Sequence, residues 1–273
     1  KMPAPTAKLP GHLFLASLGK TVLRPGGRKG TQKIIDHLQP DEHSCLLEVA
    51  GNMGTTAVHL AKTYGCRIVC VDLHQDSLKK AEKNIKQAGV EHLITLQRAD
   101  ARDLPFADET FDGVINEAML TMLPDQDKIK ALNEYYRVLK KGGKLGTHDL
   151  LIKRQPTEEM LKMVKHIMDV PLPDNPVVVK LLYYALNLIV KPLDRKKWEG
   201  IYAQTPFSKV EFKEGEMSLL TLDGLLYDEG WDRTIEILQN AAKSGEARER
   251  LFFMIKLFNQ TETFGHITIH AEK

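Results

Sequence analysis

An apolar run that contains one carboxylate and ends in small residues is the stretch best suited to bind a ligand. It reads CLLEVAGNMGTT, from Cys45 to Thr56, with Glu48 inside the run and Gly51 and Gly54 after it. Small residues between a strand and a helix let a ligand approach the backbone closely. The spacing is typical of a nucleotide-binding turn, and the alternative is an ordinary strand-to-helix turn.

A second carboxylate, Asp72, ends the next apolar run and follows Gly54 by 18 positions. One carboxylate at the end of a strand can accept hydrogen bonds from both hydroxyls of a ribose, as in dinucleotide-binding folds. The alternative role is to cap the next helix, a common use of aspartate. The two runs together predict a site for an adenosine-containing ligand.

Strand-like and helix-like patterns alternate from residue 44 to about residue 152, and they determine where these groups lie. The predicted strands are CLLEVA, RIVCVDL (Arg67–Leu73), LITLQRA (Leu93–Ala99), a segment within FDGVINEAML (Phe111–Leu120) and KLGTHDLLI (Lys144–Ile152). Single helices between strands imply right-handed crossovers and a mainly parallel, doubly wound sheet. Ligands bind beyond the carboxyl ends of such strands, which is where the glycine-containing turn falls.

Local signals also predict where several helices begin and end. Asp76 and Ser77 offer caps for the helix that Gly89 closes. Pro124 opens a helix that includes Leu139 and is ended by the sequence KKGG. A further helix is expected over residues 31–38.

Beyond residue 152 the pattern predicts two more strands, SKVEFKEG (Ser208–Gly215) and FGHITIHAE (Phe264–Glu272), with a mostly helical region between them. The fold class is therefore α/β, a Rossmann-like, doubly wound, seven-stranded and mostly parallel sheet with a helical insertion between the fifth and sixth strands. We assign residues 1–152 to the N-terminal segment and ligand-binding core, 153–206 to the insertion, and 207–273 to the completion of the core sheet.

The insertion carries two broad apolar helical faces, within TEEMLKMVKHIM (157–168) and VVVKLLYYALNLIV (177–190), and a third helix is expected around Trp198 and Tyr202. Such faces more often pack as core or as a subunit interface than line a pocket. The alternative is a lid over an apolar or aromatic ligand. A homodimer therefore stays an open alternative.

Composition bounds the compartment and the partners. The net charge is +2 with acidic and basic residues interleaved, which argues against a broad nucleic-acid-binding face. Cys45, Cys66 and Cys70 lack the paired spacing of a zinc site, so no metal is expected and buried thiols in a reducing cytoplasm are the preferred interpretation. Neither a secretory signal nor an integral membrane segment is indicated, and a cytoplasmic location is expected.

Three segments in order resemble one enzyme family. LLEVAGNMGTTAVHLAKTYGCRIVCVDL is similar to the first two motifs of class I S-adenosylmethionine-dependent methyltransferases. RADARDLPFADETFDGVINEAMLTML and EYYRVLKKGGKLGTHDLL resemble the motifs that follow, and their LPF and RVLKKGG pieces are most similar to the ubiquinone/menaquinone-biosynthesis type, the methyltransferase type 11-like group. The resemblance implies S-adenosylmethionine as cofactor and S-adenosylhomocysteine as product. The apolar faces of the insertion, interpreted as a lid, favour a small, apolar or aromatic methyl acceptor.

The resemblance also implies the cofactor contacts. These are Glu48, Ala50, Gly51, Asn52 and Gly54 around the methionine part, Asp72 at the ribose hydroxyls, Leu73 against the adenine face, Asp100 at the adenine amino group, the Ala101 N–H at a ring nitrogen, and Asn116 near the methyl group.

The turn departs from the family pattern at two positions. Ala50 and Asn52 stand where glycines are expected. Asparagine tolerates a positive φ, so Asn52 should keep the turn. The Ala50 methyl group should tilt or loosen the cofactor more than abolish its binding.

The candidate catalytic residues are Glu117, His148 and Asp149, which lie at strand carboxyl ends and could orient or deprotonate an acceptor. For His148 a purely structural role is the alternative. Arg24, in the segment LRPGGRKGT, is a candidate to meet the cofactor carboxylate, and a plain turn before a helix is the competing interpretation.

The leading hypothesis is a small-molecule methyltransferase that works by in-line displacement. The alternative is a non-catalytic protein that binds S-adenosylmethionine or S-adenosylhomocysteine as a sensor or partner subunit. An NAD-dependent oxidoreductase is a third hypothesis, and an RNA methyltransferase ranks below it because no basic, aromatic-interleaved platform is evident.

Overall fold

The computed structural model describes residues 11–154, 193–259 and 262–273. The strands are β1 (Cys45–Val49), β2 (Arg67–Asp72), β3 (Ile94–Arg98), β4 (Phe111–Glu117), β5 (Leu139–Ile152), β6 (Ser208–Glu216) and β7 (Phe264–Glu272). The helices are α1 (Gly11–Leu18), α2 (Gly27–Leu38), α3 (Thr55–Tyr64), α4 (Gln75–Ala88), α5 (Asp125–Val138), α6 (Arg195–Tyr202), α7 (Leu222–Ala242) and α8 (Gly245–Phe258), with a 3₁₀ turn at Leu120–Met122.

All seven strands form one sheet in the order β3-β2-β1-β4-β5-β7-β6. Strands β1 to β5 pair in parallel, and β7 runs antiparallel to both of its neighbours. The predicted Rossmann-like, doubly wound and mostly parallel sheet is therefore confirmed. Its register places Val49 beside Val71 and Asn116, and Glu117 beside His148, so the chemical groups collect at one edge.

Helices cover both faces of the sheet and enclose two apolar cores. One core contains Ile34, Leu60 and Ile115 on the side of α2, α3 and α4. The other contains Tyr135 and Trp198 on the side of α5 and α6. Burial of each such side chain contributes roughly 1.5–3 kcal/mol, which makes the sheet edge a rigid platform.

Three predicted helix boundaries are wrong. The N-cap position of α4 is His74 and makes no side-chain cap bond, so neither Asp76 nor Ser77 caps the helix. Asp76 instead lies in the first turn, where its charge is favourable beside the helix dipole. Helix α5 ends at Val138, and Leu139 pairs with Phe111 as the first residue of β5.

Helix α2 begins at Gly27, four residues before its predicted start. The reason is distant in sequence, because the Asp228 carboxylate accepts a hydrogen bond from the N–H of Arg28 at 2.9 Å. This carboxylate satisfies a backbone donor of the first turn that no neighbouring residue could satisfy. Helix α1 was not predicted from the sequence.

The two apolar helices predicted within the insertion lie outside the described residues. The helix expected around Trp198 and Tyr202 is confirmed as α6, and both side chains are buried. The division at residues 152 and 206 stays a prediction. Across the residues that the structure describes, no helix is both long enough and apolar enough to span a membrane.

A row of histidines lies between α2 and the sheet. His148, His266 and His270 share one face of β5 and β7, and His37 of α2 stacks on His270 with ring centroids 4.8 Å apart. Lys33 Nζ lies 3.1 Å from His266 Nε2. Burial, together with neighbouring cationic or imidazole groups, lowers the pKa of His266 to about 3 and that of His270 to about 4.

We expect acid to weaken the fold through these two histidines. Their pKa values are lower in the folded chain than in the unfolded chain, so below pH 6.5 the unfolded chain binds protons that the folded chain does not. The free energy of unfolding is therefore highest above pH 6.5 and falls as the pH falls below it. Between pH 7.5 and pH 5.5 the pair should reduce the free energy of unfolding by roughly 3 kcal/mol. Urea denaturation at both pH values, compared between the original protein and variants that lack one histidine, isolates this contribution from those of other titrating groups.

The substitution His270→Asn should remove about half of that acid-induced loss, since one of the two titrating groups is gone. His43→Asn is the matched control, because the His43 side chain is 85% exposed. An equal pH dependence in all three proteins would contradict the assignment.

Candidate active site

The loop after β1 is a tight turn built from left-handed residues. Ala50, Asn52 and Gly54 have φ values of 56°, 52° and 75°. Asn52 therefore adopts the conformation that its residue type tolerates. A Cβ atom at Gly51 would overlap the sulfur of Cys70, so glycine is required there by close packing. The two substitutions relative to the family pattern leave the turn intact.

Ala50→Gly should raise the free energy of unfolding by about 1 kcal/mol, because alanine is strained at a left-handed φ and glycine is not. It should also preserve or tighten binding of S-adenosylhomocysteine. Chemical denaturation and calorimetry measure the two effects. Ala57→Gly, inside α3, is the control, and it should lower the free energy of unfolding by about 1 kcal/mol or more. A lower free energy of unfolding for Ala50→Gly would show that Ala50 is not strained at its positive φ.

Asp72 connects the end of β2 to this loop. One of its carboxylate oxygens accepts the N–H of Asn52 at 3.0 Å, and the other accepts the N–H of His74 at 2.9 Å. The residue is 7% exposed. Each oxygen keeps a lone pair, so the carboxylate can still accept two hydroxyl donors. The next side chain, Leu73, is 46% exposed beside it.

Asp100 lies in the turn after β3 and is held by Arg102. Its carboxylate accepts the backbone N–H of Arg102 at 2.9 Å and two guanidinium N–H groups at 3.0 and 2.8 Å. The side-chain bonds from Arg102 lower the pKa of Asp100. Asp100 is therefore ionised and oriented, with Ala101 half-buried after it.

Asn116 ties the ends of two strands together. It is fully buried, its amide nitrogen donates to the Val49 carbonyl at 3.0 Å, and its amide oxygen accepts from the Tyr135 hydroxyl at 3.1 Å. These bonds fix the spacing between β1 and β4 at the site.

Glu117 is the centre of a buried polar network. Its carboxylate accepts from Thr31 Oγ1 at 2.6 Å, Thr56 Oγ1 at 2.9 Å and His148 Nδ1 at 2.9 Å, and Arg24 Nε lies 2.9 Å away. Burial acts to raise its pKa, but the Arg24 charge and these hydrogen bonds lower it to about 2. The network joins α2, α3, β5 and the segment before α2.

His148 has both ring nitrogens occupied. Nε2 accepts the N–H of Gly26 at 2.9 Å, so the proton resides on Nδ1, which donates to Glu117. The ring is fully buried. The geometry leaves this imidazole no free ring nitrogen to bind or deprotonate a methyl acceptor.

Asp149 lies on the opposite face of β5, since successive strand residues alternate. It is 1% exposed, and one oxygen accepts the N–H of Thr121 at 3.3 Å while the other has no partner among the described residues. Burial raises the pKa of Asp149 to about 8. The structure thus brings Glu117 and His148 together and separates Asp149 from them.

Two ionisable groups beside this network each have one buried atom without a hydrogen-bond partner among the described residues. In Glu48, which is fully buried, this atom is Oε2, and burial raises the pKa of Glu48 to about 8. In Arg24 it is Nε, which lies 2.9 Å from Glu117 as an ion pair without a directed hydrogen bond, while Nη2 lies 3.8 Å from Glu48. Both groups face the ends of β1 and β4.

Sequence reasoning missed several members of the network. Thr31 was predicted only as a helix start, and Thr56 only as part of the residues after Gly54. A threonine near a helix start is too common to signal a buried contact. Contacts that join residues 31 and 117 depend on the sheet order, which local patterns do not reveal.

Comparison with known proteins places this geometry in a family. A family model described as a methyltransferase domain matches residues 46–143. An uncharacterized protein of Haemophilus influenzae is 45% identical over 252 residues, which are 92% of this chain and 93% of that protein. The demethylmenaquinone methyltransferase of Lactobacillus johnsonii is 34% identical over 119 residues, 43% of this chain and 47% of that enzyme. The chain belongs to the class I S-adenosylmethionine-dependent methyltransferases.

The fold of this methyltransferase is also found among solved structures. A Haemonchus contortus phosphoethanolamine N-methyltransferase 2 in complex with S-adenosyl-L-methionine superposes with a TM-score of 0.68 at 19% identity, covering 96% of this chain and 56% of that chain. The match covers only about half of each of these two proteins with named activities, 47% of the Lactobacillus johnsonii enzyme and 56% of the Haemonchus contortus chain.

The unpaired atoms of the site fit the cofactor of the family. The methionine end of S-adenosylmethionine carries an ammonium and a carboxylate, which could pair with the Glu48 carboxyl group and with the Arg24 guanidinium beside its contact with Glu117. Asp72 keeps acceptor capacity for hydroxyl groups at the next strand end. The residues present therefore suit the cofactor without rearrangement of the strands.

Proposed function

We propose that this methyltransferase transfers a methyl group from S-adenosylmethionine to a small, apolar or aromatic acceptor by in-line displacement. The single observation that supports it most is the Asp72 carboxylate, which is joined to the loop Ala50–Gly54 and keeps a lone pair on each oxygen. A ribose needs these acceptors at this place in the fold.

The remaining cofactor contacts follow from the strand ends. Leu73 would cover the adenine, and Asp100 with the N–H of Ala101 would bind its edge. Glu48 and Arg24 would bind the ammonium and the carboxylate of the methionine part, and the turn Ala50–Gly54 would let the backbone approach it. The bonds of Asn116 within the protein support a positioning role for that residue beside the methyl group.

The cofactor supplies a methyl group on a sulfonium, which is already a strong electrophile. The chain must then align the acceptor, exclude water and hold charges in place. Glu117 and His148 are fully engaged with Thr31, Thr56 and Gly26, so we assign them to alignment of the site more than to proton removal.

Asp149 is the candidate to bind an acceptor proton. One of its oxygens has no partner among the described residues, and with a pKa of about 8 its carboxyl is mostly protonated at neutral pH, so it would donate a hydrogen bond to a methyl acceptor placed beside it. Above that pH the carboxylate can accept a proton from a hydroxyl or an acidic carbon. An acceptor that ionises readily, such as a phenol or an enol, suits this arrangement.

The experiment has two stages. Calorimetry with S-adenosylhomocysteine tests the binding site, and incubation of the protein with S-adenosylmethionine and a panel of phenols, quinols and apolar amines tests transfer. Mass spectrometry should find a product heavier by one methylene unit. Stabilisation by NAD and not by S-adenosylhomocysteine would overturn the proposal.

The second candidate function is binding of the cofactor without turnover, as a sensor or partner subunit. The observation that favours it is the complete engagement of Glu117 and His148, which leaves neither free to act on an acceptor. Tight binding of S-adenosylhomocysteine with no product from any acceptor class would select this alternative.

A further inference from the structure

Residues 20–28 cross from α1 to α2 and carry two groups onto the strand ends. We call this segment the strap. Arg24 lies 2.9 Å from Glu117 as an ion pair, and the N–H of Gly26 donates to His148 at 2.9 Å. The strap therefore contributes to the site without belonging to the sheet, and something else must hold it in place.

One buried carboxylate of α7 holds the first part of the strap. Glu229 accepts the N–H groups of Thr21 and Val22 at 2.9 Å each and the Thr21 hydroxyl at 2.7 Å. The ammonium of Lys20 lies 3.3 Å away, and both charged side chains are 0% exposed. Four donors on one carboxylate fix the backbone of residues 20–22, because buried donors are seldom left without a partner.

The neighbouring residue of α7 holds the other end of the strap. One oxygen of Asp228 accepts the N–H of Arg28 at 2.9 Å. Its second oxygen packs against Gly27, where φ is +56° and a Cβ atom would overlap the carboxylate. The contact thus requires glycine at that position, and it sets where α2 begins.

A break in α7 follows these two acids directly. Gly230 has φ 76° and ψ 172°, so the first part of α7 ends at Glu229 and is directed independently of the rest. Adjacent helical residues point about 100° apart. Asp228 and Glu229 consequently reach opposite ends of the strap, with Arg24 between the two anchors.

We propose that Glu229 and Asp228 are positioning residues, which hold the strap so that Arg24 meets the carboxylate of the bound cofactor. The inference rests on the proposed function, since it assigns that ligand to Arg24. A guanidinium on a fixed backbone loses less freedom when it binds than one on a loose segment. The two acids therefore act on affinity through Arg24 without touching the ligand.

The test compares two ligands in calorimetry. S-adenosylhomocysteine carries the carboxylate and the ammonium of homocysteine, and 5′-methylthioadenosine carries the same adenosine without either group. Glu229→Gln should weaken binding of S-adenosylhomocysteine roughly 10-fold and leave binding of 5′-methylthioadenosine within about 2-fold. A merely structural defect would weaken both ligands equally, and that result would overturn the inference.

A double-mutant cycle identifies the residue through which Glu229 acts. Arg24→Ala should weaken S-adenosylhomocysteine at least as much as Glu229→Gln, and the double variant should bind no more weakly than Arg24→Ala alone. If the fold-losses of affinity for S-adenosylhomocysteine multiply in the double variant, Glu229 does not act through Arg24, and the inference is overturned.

A milder pair of variants covers the case in which Glu229→Gln does not fold. Asp228→Ala removes one anchor and should weaken S-adenosylhomocysteine several-fold, while Asp232→Ala, an exposed acid of the same helix, should leave affinity unchanged. Equal affinities for these two variants would overturn the inference. Failure of the unsubstituted protein to bind S-adenosylhomocysteine would instead remove the proposed function, and the inference with it.

Discussion

Replacing Asp72 with alanine should raise the dissociation constant for S-adenosylhomocysteine roughly 100-fold, because two charge-assisted hydrogen bonds to the ribose are lost together. Asp72 is buried at the end of β2, and its oxygens already orient the N–H groups of Asn52 and His74. The variant therefore removes the ribose acceptors and also loosens the loop that approaches the methionine part. Isothermal calorimetry measures the loss.

Two further variants separate these contributions. Asp72→Asn keeps the size of the side chain and one carbonyl acceptor, so its loss should lie between those of the original protein and Asp72→Ala. Asp76→Ala is the matched control, since Asp76 is exposed in the first turn of α4 and only a few residues away. Affinity that survives Asp72→Ala, in a protein that still unfolds cooperatively, would show that the ribose lies elsewhere.

Replacing Glu117 with alanine should lower the free energy of unfolding by roughly 3–5 kcal/mol, the usual cost of removing one partner from a buried charged network. The substitution would leave Thr56 and the Nδ1–H of His148 without their acceptor, and it would remove the shorter bond of Thr31 and the ion-pair partner of Arg24. These groups are buried, so water cannot replace the carboxylate. Urea denaturation at neutral pH measures the effect.

Glu82→Ala is the comparison for this variant. Glu82 forms an exposed pair with Lys86 at 3.3 Å, and such pairs contribute at most about 1 kcal/mol. A loss for Glu117→Ala as small as that for Glu82→Ala would mean that the buried network does not form in solution. If Glu117 instead acted only as a base, Glu117→Gln would abolish transfer and leave stability unchanged.

The strands were predictable because each carries its own pattern of apolar and β-branched residues. Segments such as RIVCVDL and FGHITIHAE became β2 and β7 within one or two residues of the predicted ends. Helix ends were less predictable, since they depend on partners from elsewhere in the chain. The start of α2 is set by Asp228, about 200 residues away, and no local signal at Thr31 could indicate that.

In the site, too, the residues within local motifs were predictable, and the contacts from distant parts of the chain were not. Asp72, Asp100 and Glu48 could be placed from the motifs, because each follows or lies within a strand whose position the sheet order fixes. The chemical state of Glu117 could not, because it is set by three hydrogen-bond donors and the charge of Arg24, all from other parts of the chain. Sequence reasoning named Glu117 and His148 as candidates to orient or deprotonate a methyl acceptor. Both roles stay predictions, and the geometry favours the first.

The position of β7 has a consequence for synthesis of the chain. Because β7 lies between β5 and β6, strand β6 has no neighbour in the sheet until Phe264–Glu272 has left the ribosome. The five parallel strands can associate earlier, with one long edge of β5 exposed. A nascent chain stalled before residue 264 would present that unpaired edge to other chains, so a chaperone would be needed most before β7 pairs with β5.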